Sequence, residues 1–385
     1  MAAGARGGDR DRTHVLRLVA RVDHRQSFRI PLLSVLMSMP RRYLLTFVAT
    51  VLAASALSGV ALLFQLGAPV AAEYWLHPTK IVKLHLAERV EGRKILILGG
   101  SGALFGLDSE RIERATHTAT VNIAMHGGLS IDYMLDYARP LLRSGDMLLL
   151  SLEYEVYARD NVNTSWFTNN VMAWDPAYFL RLPFLDQIDF ARATSGGRVA
   201  AGVLAQMFGQ RLRQAHGRML PSVDAILADM RHVWRDGRHR AAVLGRYSFH
   251  HLDERGDIQG QRGTKNLRKG EHQAPTDVSA RGIADKPVWD RLQRLHDDCR
   301  RRNVRVVVVW PAIPAREAAA MAEAIDAIER HVKQIGLETL GRPRDAVFDD
   351  RLFFDTTYHL NEEGRAVRTG MVLNRFKEWL IAHDG

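Results

Sequence analysis

Cysteine is nearly missing from this 385-residue chain, Cys299 being the single one, which excludes an intramolecular disulfide and any metal site built on several thiolates. Its setting, "LQRLHDDCRRRN", has a helical pattern in which a lone thiol packs. Aromatic residues are few, at 8%, and none interleave with basic residues as in a nucleic-acid-binding sheet. Zinc-finger spacing and a helix-turn-helix pattern are missing too. The formal net charge of +10 therefore reads as solvated arginine, and no nucleic-acid partner is expected.

Charge itself is absent from one long stretch, "YLLTFVATVLAASALSGVALLFQL", residues 43–66. A bilayer core of ~30 Å needs about 20 helical residues to cross, so this is the expected transmembrane helix. Nine arginines, from Arg6 to Arg42, precede it, whereas Glu73, Lys80 and Lys83 follow. Positive residues stay inside, which puts a basic segment 1–42 in the cytoplasm, the N-terminus with it, and the rest beyond the cytoplasmic (inner) membrane, in the periplasm. A cleaved signal peptide is the alternative, with "VAA" at 70–72 as its site. The apolar run exceeds the usual 7–15 residue signal core, so an uncleaved anchor is the expectation.

Residues 67–92 read as a short stalk, and a soluble domain is expected over 93–385. Strand-like runs at 94–98, 119–123, 147–152 and 304–310, with a short one around 346–348, alternate with helical patterns at 109–115, 130–143, 288–302, 315–335 and 362–381. Such alternation implies an α/β fold, a three-layer sandwich whose five-stranded, mainly parallel sheet is covered by helices. Residues 157–287 lack it and are expected to form a largely helical insertion, with helical pieces at 199–216 and 223–235 and a polar loop over 253–277.

"KILILGGSGALFGLD" sets a glycine turn after the first strand. A dinucleotide fingerprint needs a third glycine where Phe105 stands, and an acidic residue where the second strand ends in Asn122. No cofactor is therefore expected. The turn instead offers Ser101 at a strand-to-helix corner, where a nucleophilic hydroxyl can meet a base. That base must be oriented by a third group. "FFDTTYHLNEEGRAV" supplies candidates: Asp355 can hold one ring nitrogen of His359 and leave the other for Ser101, while Asn361 caps the last helix. His126 beside Gly127, and Glu153 and Glu155 at a strand end, are candidate substrate contacts, with structural hydrogen bonding as the alternative for the glutamates. Arg365 and Arg368 read as surface charge. His250, His251 and Asp253 lack a third well-placed ligand, so no metal is expected.

Ser101 after the first strand, Asn122 and Gly127 in "VNIAMHGG", and the late Asp355 and His359 resemble the SGNH, or GDSL-like, hydrolase superfamily. The membrane anchor and the "DTTYHLNEEGR" ending are similar to its branch of envelope proteins for polysaccharide biosynthesis, which includes alginate O-acetylation and teichoic acid D-alanyl-transfer proteins. The resemblance covers about 93–152 and 304–381. It implies an SGNH/flavodoxin-like sheet and an O-acyltransferase or esterase acting through an acyl-serine. Ser101 would be nucleophile, His359 base, Asp355 its orienting carboxylate, and Gly127 with the Ser101 amide part of the oxyanion hole. A polysaccharide substrate and a membrane-bound O-acyltransferase partner are implied as well. The chain departs from the pattern in its third block, where "SLEYEVY" replaces Gly-x-Asn-Asp. An ionised glutamate cannot donate a hydrogen bond. Either Tyr154, Asn122 or a backbone amide supplies the missing donor, or the fold serves as a non-catalytic glycan-binding or assembly component.

Overall fold

A computed structural model describes residues 41–160, 163–216, 222–236, 248–263 and 278–383, with only the backbone of 210–216 and 380–383. The basic segment before Arg41 and residues 264–277 of the polar stretch lie outside the described residues. The chain divides into two units, residues 1–59 and 60–385. In the first, the described residues are helical throughout, part of the 24-residue helix Arg41–Phe64, which is long and apolar enough to cross a membrane.

The second unit is built on a parallel five-stranded sheet. Its strands are β1 (Lys94–Gly99), β2 (Ala119–Asn122), β3 (Met147–Ser151), β4 (Arg305–Val309) and, after the two-residue β5 (Ile313–Pro314), β6 (Glu338–Leu340). Their order is β2-β1-β3-β4-β6. The fifth strand is β6, not the 346–348 run, which forms β7 (Val347–Phe348) and pairs with β5 in a separate two-stranded sheet. A three-residue edge strand reading Glu-Thr-Leu carries no apolar run to announce it.

Strand residues alternate between two cores. Leu96, Leu98, Leu148, Leu150, Val306 and Val308 face the helices Ile131–Ala138, Val288–Arg301 and Ala322–Gln334. Ile95, Ile97, Leu149, Val307 and Val309 face Ile112, Met230, Leu373 and Phe376 on the opposite side. The sheet is therefore covered on both faces, and its buried strands read as continuous apolar runs. Two helices are shorter than their periodicity suggests. Ser130 caps the first by accepting from Tyr133 N–H, and Pro140 turns its end into a 3-10 segment. The alanine-rich helix breaks at Met321.

Residues 67–92 are not a detached stalk. Their helix Leu76–Glu88 buries Val82, Lys83 and Ala87, and Lys83 Nζ donates to the carbonyls of Asn122 at 2.7 Å and Gly256 at 2.6 Å. The described part of 157–287 is largely helical, and Phe167, Phe179 and Phe190 root it in the core.

Candidate active site

Register decides which side chains meet at the carboxyl edge of the sheet. Gly99 of β1 pairs with Ser151 of β3, so Ser101 and Glu153, each two residues further on, emerge side by side on strands about 4.8 Å apart. Ser101 opens the helix Ser101–Gly106, and Glu153 precedes the helix Tyr154–Ala158. Glu153 is only 4% exposed. Its Oε1 accepts the Gly102 N–H at 2.7 Å and the Ser101 hydroxyl at 3.5 Å. Its Oε2 has no hydrogen-bond partner among the described residues. The carboxylate lies in a cradle that only glycine permits: a Cβ on Gly100 would stand 2.2 Å from Oε2 and 2.5 Å from the Gly127 Cα, and one on Gly127 would stand 3.0 Å from Cδ.

The second half of the site comes from a closed loop before the last helix, Glu362–His383. Phe353 and Leu360 form an antiparallel bridge, and the Phe354 N–H donates to the His359 carbonyl at 2.7 Å. Asn361 caps the helix by accepting from Gly364 N–H at 2.9 Å, while its amide donates to the Arg351 carbonyl. Inside this frame His359 donates from Nδ1 to Asp355 Oδ1 at 2.7 Å. That bond fixes the ring and leaves Nε2 as the basic nitrogen. The imidazole stacks on Phe105, with ring centres 4.2 Å apart and planes at 10°. Phe105 lies one helical turn after Ser101, so both fall on one face of the helix. Tyr358 closes the contact, its Cβ being 3.4 Å from where a Gly102 Cβ would sit.

Two arginines complete the electrostatics. Arg368, 2% exposed, donates to the carbonyls of Gly102 at 3.0 Å and Trp310 at 2.8 Å and to Ser151 Oγ at 2.9 Å. Burial pushes its guanidinium down to about 10, and the Glu153 carboxylate works against that shift. Arg159 donates to the Gly127 carbonyl at 2.6 Å; burial lowers it too, opposed by Glu153 and Glu155. Glu155 is pushed up to about 7 by burial, opposed by the neighbouring Tyr358 hydroxyl. His126 stacks on Trp166 and accepts the Gly128 N–H through Nδ1. Burial pushes it down to about 4, opposed by Glu73, so it is neutral at pH 7.

The structure thus gathers Ser101, Gly127 and Glu153 in one cluster and pairs His359 with Asp355 against Phe105 of the helix that Ser101 begins, with His126 and Glu155 nearby. It overturns three sequence expectations. Asn122 is not an oxyanion donor: its amide hydrogens go to the Ala103 carbonyl at 3.1 Å and Asp257 at 2.9 Å, inside the core. Tyr154 is wholly buried among apolar residues, out of reach of an arriving substrate. Arg365 and Arg368 are buried, not surface charge: Arg365 donates to the Ile258 carbonyl and to Gln259. Helical spacing carried that signal, because stepping back from Phe376 and Leu373 by three and four lands on Thr369, Arg368 and Arg365, the apolar face. Away from the site, His250 pairs with Asp229 at 2.6 Å. Asp253 accepts from Gln259 and from the Arg255 and Asp257 amides.

No protein-family model matches the chain, and no curated protein is similar enough in sequence to count as a relative.

Proposed function

We propose that this chain is a membrane-anchored serine acyl-ester enzyme of SGNH-like type, an O-acyltransferase or esterase for an extracytoplasmic polysaccharide. Its N-terminus would lie in the cytoplasm and its α/β unit outside. The observation that carries the reading is the Asp355–His359 hydrogen bond on a loop stacked against the helix that Ser101 begins. In the proposed reaction His359 Nε2 takes the Ser101 proton as Oγ bonds to the ester carbonyl carbon, whose electron pair moves onto oxygen. Collapse of that adduct breaks the bond to the donor alcohol, which leaves with the proton from His359. A sugar hydroxyl, or water, then repeats the steps in reverse and frees Ser101. The Ser101 amide, with Gly127, would hold the oxyanion, joined by the Gly102 amide wherever Glu153 gives it up.

A phosphonate that reacts with activated serines tests this. Wild-type protein takes the label and Ser101→Ala does not; equal labelling of both overturns the assignment. A second reading, a non-catalytic glycan-binding or assembly component, is favoured by one observation: Glu153 holds both the Gly102 N–H and the Ser101 hydroxyl. Polymer acylation in cells separates the two. Loss with Ser101→Ala equal to that of a full deletion supports the enzyme, and intact product supports the scaffold.

A further inference from the structure

The helix Gly196–His216 runs against the point where the apolar helix ends. Gln65, the residue after Phe64, is fully buried, and so is Ala68. Arg198 binds the Gln65 side-chain oxygen and donates to the Ala68 carbonyl at 3.0 Å, while Gln206 donates to the Leu66 carbonyl at 2.8 Å. Gly202 makes the approach possible, since a Cβ there would stand 2.8 Å from the Gln65 Cβ.

The side of this helix turned away from Gln65 is apolar yet uncovered. Leu204, Met207 and Phe208, spaced to share one face, are 54%, 62% and 58% exposed. Leu63 and Phe64, at the end of the apolar helix, are exposed too. A helix is about 10–12 Å across, and the interfacial layer outside a ~30 Å hydrocarbon core is roughly 5–8 Å deep. A helix touching residues 65 and 66 therefore lies at headgroup depth, where water would otherwise meet three large apolar side chains.

We propose that Leu204, Met207 and Phe208 are a membrane-docking face that inserts into the interface of the same bilayer the 43–66 helix crosses. The occupant is lipid; continuity with the end of the apolar helix distinguishes it from a protein partner. The inference rests on reading residues 43–66 as a span. Docking of this kind is the ordinary behaviour of an amphipathic interfacial helix. It would hold the unit against the surface, in a fixed posture toward lipid-borne donors.

The test uses the full chain in phosphatidylcholine vesicles, with Cys299→Ser removing the native thiol and an environment-sensitive dye at Met207→Cys or, separately, Leu52→Cys. Quenching by nitroxide carried on lipid acyl chains is compared with quenching by aqueous iodide. The expected result at position 207 is strong lipid-borne quenching with iodide quenching reduced about fivefold or more relative to the free dye. Iodide quenching equal to that of the free dye overturns the proposal. So does protection from iodide without lipid quenching, which would mean a protein partner or a second copy. Lipid quenching at 52 but not at 207 overturns docking alone, whereas its absence at both overturns the span.

Discussion

Replacing Glu153 by alanine is expected to make Ser101 react faster, although Glu153 sits beside it. The carboxylate accepts the Gly102 N–H, one of the donors an oxyanion on Ser101 would use, and it presents a negative charge where negative charge would develop. A hydrogen bond to a charged group is worth about 1.5–3 kcal/mol, and each ~1.4 kcal/mol is tenfold in rate. Freeing that amide should therefore raise the second-order rate of phosphonate labelling by about 10–100-fold. With Oε2 unpaired, the Gly102 N–H is the carboxylate's shortest hydrogen bond, and removing the carboxylate leaves the positive charges of Arg159 and Arg368 without that neighbouring anion. Glu153→Gln keeps an acceptor oxygen and loses the charge, so its gain should be smaller, under about tenfold. Rates would be measured on the full chain in detergent, with circular dichroism showing that each variant is folded. Folded Glu153→Ala protein that labels no faster than wild type would refute the reasoning, and a slower rate would make Glu153 an aid to Ser101.

Three further outcomes follow from the same geometry. Asp355→Asn removes the carboxylate that fixes the His359 tautomer, so Ser101 labelling should fall about 10³–10⁴-fold with little change in the far-ultraviolet spectrum; a drop under tenfold would mean His359 is oriented otherwise. Glu155 keeps its proton in the folded protein up to about pH 7, whereas the unfolded chain loses it near 4.5. Its contribution is therefore intact below about pH 4.5, declines as pH rises to 7 and is gone above, so stability relative to Glu155→Gln should fall by ~3 kcal/mol across that window in urea titrations; a pH-independent difference would contradict the burial argument. Arg368→Met strands the Gly102 and Trp310 carbonyls, Ser151 and the facing Glu153, and should cost about 3–5 kcal/mol of stability; a loss below ~1 kcal/mol would show that the site closes without its arginine.

Much of the frame could be read directly. Strands β1, β3 and β4 are runs of Ile, Leu and Val that are buried on both faces, and Asn361 followed by two glutamates marks a helix start by local chemistry alone. Asp355 and His359 were legible for the same reason, being near neighbours in one short loop. Glu153 was visible as a residue but not as an occupant of the Gly102 N–H, since its position follows from the pairing of Gly99 with Ser151. Asn122 looked like a donor because its amide has two hydrogens; the partners that consume them, Ala103 and Asp257, come from elsewhere in the chain. Arg368 was hidden by its charge, which outweighed a helical spacing that put it inside.

The packing of Leu76–Glu88 bears on how the protein can be handled. A shortened version beginning at Arg93 would look reasonable, since the sheet starts there. It would lose Lys83, removing the donor it gives the Asn122 and Gly256 carbonyls and a positive charge that interacts with the buried Asp257. It would also uncover the patches that Val82 and Ala87 fill. Such a fragment should aggregate on expression, and a workable shortened form has to retain the helix Leu76–Glu88.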